Sequence, residues 1–501
     1  MGRRGLGTWP VVVVTAVCAA LVVLAGCSGD APSAAPPPAA ASPTVPSPPV
    51  PQVPSSGTGL ALPPVSGASA APPPPSGGVR LGADWTTYHG DAARTGYLPT
   101  GPDPAAAALA WQTPLDGAVY GSPLVVNGRV VAATEGGSVY GLDALTGAIQ
   151  WRTHLADPLP GSALPCGNID PIGITGSPVY DPMTGQVFAV TTQAGVRHVL
   201  SALDPATGGV RSQRDADVPG SEPATQLQRG ALLVSGGTVH IAYGGNYGDC
   251  GRYQGRVVGL PTSGPGPMTT FTVPTPREGG IWAASGPAAL PNGDVIVTTG
   301  NGEATSGAWD HSDSMLRLSP TLGLVDGFAP QGWAQENSVD ADLGSTGPVL
   351  LPGTRQAIAA GKGGGVYLVD LSAMGGVGGQ RAELQGCESY GGGAAAPVVG
   401  GGTVAYLPCS TGVLQVRVDA NGVMTKGWQA PPQIAGSPIV VGTTVWSLQQ
   451  DGALDGLDAA TGTLRATVSV GDASRFATPA ASGNALFLPT SRGVSAVRVA
   501  P

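Results

Sequence analysis

Four cysteines, Cys166, Cys250, Cys387 and Cys409, are residues of this chain whose type allows covalent or metal chemistry. Their spacings match no zinc pattern, and the five histidines (89, 154, 198, 240 and 311) are scattered without an HxH or HExxH motif. The standard hydrolase and nucleotide-binding signatures are missing too, with no GxSxG elbow, GxGxxG turn or P-loop. What remains are residues suited to holding a ligand. Trp282, Trp309 and Trp333 offer flat faces on which a planar molecule could stack, packing between sheets being the competing use. Lys362 stands between glycines, where it could meet an anion or sit in solvent. Asn301 lies between Gly300 and Gly302, a setting in which asparagine readily takes a left-handed turn.

A repeat must position these residues. Gly121 to Trp151 reads as four short strands: Leu124 to Val126, Arg129 to Thr134, Ser138 to Leu142, and a fourth starting at Ile149. The turns between them, Asn127-Gly128, Glu135 to Gly137 and Asp143 to Gly147, favour hairpins because glycine and asparagine accept positive φ. Such a sheet cannot cover both of its apolar faces alone. Similar units open at Gly176, Gly286, Gly347, Ala396, Gly436 and Thr478, each beside a proline, with a degenerate copy near Gly230. The turn Asp143-Ala-Leu-Thr-Gly147 recurs as Asp204 to Gly208 and Asp458 to Gly462. Eight starts, about 40 to about 60 residues apart, predict an all-β, eight-bladed propeller of four-stranded antiparallel blades. The last unit shows three strands, so Leu109 to Thr113 is expected to supply its outer strand and close the ring.

Ahead of the ring, Arg3-Arg4 and the apolar run Val11 to Ala25 have the makeup of a secretory leader, too short to span a membrane. Arg3-Arg4 match a twin-arginine signal poorly. Leu24-Ala25-Gly26-Cys27 resembles the lipobox of bacterial lipoproteins. That resemblance implies removal of residues 1–26, a lipid on Cys27 (diacylglycerol, with acylation such as palmitate), and an extracytoplasmic protein anchored to the cell membrane. Residues 27–80 read as a Pro/Ala/Ser-rich disordered tether, able to reach on the order of 100 Å where extended. The folded part spans 81–501. Its 80 Gly, 50 Pro and 11% charged residues, counted over the whole chain, suit short strands and tight turns. A net charge of −9 leaves no basic stripe for nucleic acid.

Blade topology sorts residues onto two faces. Turns between third and fourth strands fall on one rim, while turns between second and third strands join the blade-to-blade links on the other. That second face collects Glu135, the Tyr243 to Tyr253 and Gly300 to His311 loops, Lys362, Cys409 and Gln450-Asp451. It also collects the links that hold Cys166, Asp340 to Asp342 and Cys387. Long loops on a rigid scaffold are where binding usually occurs. With Cys18 leaving in the leader and Cys27 lipidated, four cysteines remain in an oxidising compartment. Three pairings are possible, and Cys166–Cys250 with Cys387–Cys409 is favoured.

Trp85-x-x-Tyr-His-Gly-Asp with Arg94-Thr-Gly96, the Leu-Asp-x-x-Thr-Gly turn, Val297-Thr-Thr-Gly-Asn-Gly302, and Asp342-Leu-Gly-Ser-Thr-Gly-Pro-Val349 with Lys362-Gly-Gly-Gly-Val-Tyr-Leu368 resemble the quinoprotein-type propellers. The resemblance runs from about Asp84 to Val499. That superfamily contains pyrroloquinoline quinone (PQQ) dehydrogenases and non-enzymatic members, among them an outer-membrane assembly lipoprotein. For a dehydrogenase the resemblance implies Asn301 as a Ca²⁺ ligand, Asp340 or Asp342 as the carboxylate that takes the substrate's proton, and Trp282, Asn301 and Lys362 beside the quinone. Two features depart from the pattern. The loop matching the family's Glu ligand reads Gly244-Gly245-Asn246, and the adjacent Cys pair over the quinone is absent. The expectation is therefore a monomeric, non-catalytic binding or scaffold propeller at the cell envelope. It would need no cofactor and would meet an envelope protein or polymer through its loop-rich face. The alternative is a PQQ- and Ca²⁺-dependent alcohol or sugar dehydrogenase.

Overall fold

The Asp-x-x-Thr-Gly turns show how one hairpin locks two blades. The Asp143 carboxylate accepts the Leu145 and Thr146 N–H groups at 3.1 and 2.9 Å, and Asp458 accepts those of Ala460 and Thr461 at 2.9 and 2.8 Å. Each turn ends on a glycine in the left-handed region, with φ of 76° at Gly147, 73° at Gly208 and 74° at Gly462. A tryptophan from the preceding blade lies over each of them. A Cβ on Gly208 would come within 2.5 Å of Trp151, and one on Gly147 or Gly462 within 2.6 Å of Trp111 or Trp428. The three indoles donate back to the turns, to the carbonyls of Ala144 (3.2 Å), Pro205 (3.0 Å) and Ala459 (3.2 Å) respectively from Trp111, Trp151 and Trp428.

This computed structural model describes residues 78–431 and 433–500. The leader, Cys27 and nearly all of the tether lie outside the described residues. Blade 1 comprises Leu124–Val126, Arg129–Ala133, Ser138–Asp143 and Ile149–His154, paired antiparallel in chain order. Blades 2 to 7 repeat that order from inner strands that begin at Val179, Leu233, Ala288, Val349, Ala394 and Ile439. Blade 8 joins Ala480–Ser482, Ala485–Thr490 and Gly493–Ala500 to Ala106–Pro114, which pairs antiparallel with Gly493–Ala500. The closing strand is thus the one expected, longer at both ends. The core lies between blades: Val131, Val139 and Trp151 of blade 1 pack with Val187, Ala189 and Leu203 of blade 2. One short α-helix, Trp333–Ser338, sits between blades 4 and 5 and buries Trp333. Six residues are too few to carry a helical period, so the sequence reading contained no such helix.

The segment before the ring binds the inner ends of its blades together. Arg80 and Gly82 attach to the first hairpin of blade 8, their N–H groups donating to Asn484 Oδ1 (2.7 Å) and Ser482 Oγ (3.0 Å). Trp85 then pairs with Val125 of blade 1. The Thr86, Ala92 and Thr95 carbonyls accept N–H groups of Tyr180, Ala289 and Ala395 in blades 2, 4 and 6, at 2.8, 2.7 and 2.7 Å. Tyr97–Leu98 adds a parallel strand to blade 7. Within this hub Arg94 is 1% exposed. It donates to the carbonyls of Pro287 (3.0 Å), Tyr88 (3.0 Å) and Leu232 (2.8 Å) and to the Thr87 hydroxyl.

On the opposite face, Cys166 in the blade 1–2 link is joined to Cys250 in a blade 3 loop, with Cα atoms 6.1 Å apart. Cys387 in the blade 5–6 link is joined to Cys409 at the end of the second strand of blade 6, with Cα atoms 5.8 Å apart.

Candidate functional site

A cavity of about 770 Å³ opens on the face formed by the links and the second-to-third-strand loops. Loops of blades 3, 4 and 5 bring Asn246 to Asp249, Asn301 and Lys362 to it, and successive links bring Arg229, Trp282, Asp340 to Asp342, Tyr390 and Arg475-Phe476. Trp282, Asn301, Asp340, Asp342 and Lys362, distant in sequence, thus share one space. Trp309 and Trp333 are elsewhere. Trp309 stacks on His311 with ring centroids 4.2 Å apart and donates to Ser314 Oγ at 2.9 Å, and Trp333 is buried in the short helix.

Asp342 and Lys362 form the centre of the acidic side. Gly300 makes the approach possible, because a Cβ there would lie 2.4 Å from Asp342 Oδ1 and 3.1 Å from Trp282 Nε1. Asp342 Oδ1 accepts the Asn301 N–H at 2.5 Å, and Oδ2 meets Lys362 Nζ at 2.5 Å. Lys362 also donates to the exposed Asp340 at 2.8 Å, so this cation meets its own chain's carboxylates. Burial disfavours the Lys362 ammonium, but Asp342 and Asp340 outweigh it and hold its pKa above the ordinary value. Burial raises Asp342 to about 6, with the Lys362 charge working against the rise. Behind them the buried Asp313, which accepts the Leu343 N–H at 3.0 Å, is pushed well up by burial and by the Asp342 charge.

A calcium ion with a quinone does not fit these donors. Asn246 offers an amide rather than a carboxylate, and that amide donates to the Ala224 carbonyl at 2.8 Å. Both Asp342 oxygens already hold donors, one of them a cation. Among the described residues no three His, Cys, Asp or Glu side chains are grouped to hold a metal ion.

The other side of the cavity carries residues that the sequence reading missed. The Arg229 guanidinium lies over Phe476, 3.9 Å from the ring centroid, and that of Arg475 lies 3.9 Å from the centroid of Tyr390. The buried Nε of each has no hydrogen-bond partner. Burial lowers Arg229 to about 10, with Glu135 opposing the shift, so it stays charged at neutral pH. The available signal was position: Arg229 and Arg475-Phe476 come just before the openings of blades 3 and 8, as Asp340 to Asp342 come before blade 5.

The fold is an eight-bladed β-propeller with its candidate site on one face. Residues 100–270 match the family model described as outer membrane protein assembly factor BamB. No curated protein matches the chain. The fold is similar to quinohemoprotein alcohol dehydrogenase from Comamonas testosteroni, with a TM-score of 0.63 and 16% identity over 83% of this chain and 80% of that one. A europium-containing methanol dehydrogenase gives 0.62 and 15% over 82% and 90%. BamB from Moraxella catarrhalis gives 0.55 and 16% over 79% and 100%. At these identities the likeness is one of fold, shared by dehydrogenases and an assembly factor alike.

Proposed function

We propose that this propeller is a non-catalytic binding protein whose ligand site is the cavity on its link-and-loop face. The state of Asp342 carries the reading. Its two oxygens already serve the chain itself, one accepting the Asn301 N–H and the other paired with the Lys362 ammonium, so an added cation would have to compete with Lys362 for the same carboxylate. On this reading the protein is extracytoplasmic, anchored to the cell membrane through a lipid on Cys27. Two cross-links among the four remaining cysteines suit an oxidising compartment. The chain enters the ring at the hairpin Ser482 to Asn484, on the rim away from the cavity. An anchor there would leave the cavity facing outward, toward an envelope protein or polymer. The net charge of −9 speaks against nucleic acid, and a monomer is the expected state.

One observation favours the second reading, a PQQ- and Ca²⁺-dependent alcohol or sugar dehydrogenase: Trp282, Asn301 and Asp342 converge at the same cavity. Adding PQQ and Ca²⁺ to the purified mature chain separates the two. The expected result is no retained quinone absorbance, no Ca²⁺-dependent rise in melting temperature and no dye-linked oxidation of alcohols or sugars. Stoichiometric quinone with dye reduction would establish the enzyme instead. For the anchor, mass spectrometry of detergent-extracted protein should find a lipid-modified Cys27 at the N-terminus. An unmodified Cys27 would refute the anchor.

A further inference from the structure

The cavity treats its acids and its cations differently. Its carboxylates have donors: Asp342 and Asp340 share Lys362, Asp249 accepts the Tyr253 hydroxyl at 2.5 Å, and Glu388 accepts the Tyr390 hydroxyl. Its two arginines have none of the matching acceptors. Among the described residues neither Arg229 nor Arg475 takes part in an ion pair or a hydrogen bond to protein, and each Nε is buried without a partner. A guanidinium carries five donors in a planar fork. Arg229 and Arg475 are each half-buried, and the Nε that is withdrawn from water with its donor unmet loses hydration that an aromatic face replaces only in part. Buried polar groups of this kind call for an acceptor.

We infer that Arg229 and Arg475 form an oxyanion site, which holds the carboxylate or phosphate head of a small organic ligand while its body lies in the cavity against the Phe476 and Trp282 wall. Phe476 links the parts. It carries Arg229 on its ring at 3.9 Å, has Arg475 5.7 Å from its centroid, and meets Trp282 edge-on with centroids 6.4 Å apart. The fork geometry of arginine suits the paired oxygens of carboxylate and phosphate. Lys362 takes no part in holding the head, because two carboxylates already neutralise it. This assignment rests on the cavity being a binding site and names the class of ligand it takes.

Calorimetric titration of the full mature chain with benzoate, phenyl phosphate, inorganic phosphate and the neutral benzamide tests it. Benzoate or phenyl phosphate should bind one to one and weaken with added salt, whichever binds more tightly showing which head the site prefers. Inorganic phosphate should bind more weakly than phenyl phosphate, and benzamide should not bind detectably. Arg229→Gln and Arg475→Gln should each lower the affinity about tenfold or more, and Lys426→Gln, a change elsewhere on the surface, should leave it unchanged. Should Arg229→Gln fail to fold, the half-buried Arg475→Gln carries the test. Equal affinity in the arginine variants, or no binding of either organic anion, would overturn the site. Benzamide binding as tightly as benzoate would also overturn it while leaving the binding reading intact. None of the probes is redox-active, so quinone-dependent dye reduction would sink that reading without touching this assignment.

Discussion

Replacing Glu135 with glutamine should change how stability depends on pH. Glu135 lies in the turn between the second and third strands of blade 1 and is only 3% exposed. Its Oε2 accepts the Gly173 N–H at 2.7 Å, while Oε1 has no donor. Burial raises its pKa to about 7 from an ordinary 4.5, and the Gly173 N–H, the Thr175 side chain and the Arg229 charge only partly resist. The other titratable group beside it is Tyr120. Because the folded state holds this proton more tightly than the unfolded one, the favourable contribution is full below pH 4.5 and is lost as pH rises through 7. With those two values, the wild type should lose about 2.5 kcal/mol from this group between pH 5 and pH 8. Glutamine mimics the protonated form and removes that loss. Asp342 and Glu336, also raised by burial to about 6 and about 7, titrate in both proteins and cancel in the difference. Chemical unfolding of both proteins at several pH values between 5 and 8 is the assay. The variant's stability relative to wild type should increase by about 2.5 kcal/mol across that range. A difference that stays flat with pH, or that falls, refutes the assignment.

Lys362→Met leaves buried Asp342 without its cation and should destabilise the fold by about 3–5 kcal/mol. The loss should be greatest above pH 6 and shrink on acidification, since protonated Asp342 needs no partner; equal losses at pH 5 and 8 would contradict this. Arg94→Met strips the donor from three buried carbonyls and should cost about 3 kcal/mol or more. An unchanged melting temperature would show that the hub does not hold the ring. Alkylation of the mature chain without reductant should find no free thiol among Cys166, Cys250, Cys387 and Cys409, and opening either bridge should cost about 2–4 kcal/mol. Four modified thiols would refute the pairing.

Much of the ring was legible because its signals are local. Asp143, Thr146 and Gly147 build their turn from hydrogen bonds spanning four residues, so the motif announces the turn wherever it stands. The closing strand followed from counting, since seven complete blades and one of three strands leave a single edge to fill. The hub was different. Trp85 to Leu98 meets partners from Val125 to Thr478, and no periodicity records contacts over such separations. Its motif was readable only as a resemblance, without the role that Arg94 plays.

The candidate site divides along the same line. On the rim of the third-to-fourth-strand turns, charges find partners within their own blade: Arg211 pairs with Asp204 and Arg465 with Asp458, each at 2.5 Å and seven residues apart. On the opposite face partners come from different segments. Lys362 of blade 5 meets Asp342 of the link before it, and Arg229 meets Phe476 from the far end of the chain. A charge answered within its own hairpin is fully explained by folding. Arg229 and Arg475 feel the charges of Glu135 and Glu388, yet among the described residues neither makes an ion pair or a hydrogen bond. They lie in links, the segments of each repeat least constrained by strand pairing, where the fold tolerates whatever side chain a ligand requires. That is why the repeat could be read residue by residue, while the anion-facing arginines became visible only once the links of six blades had been brought to one cavity.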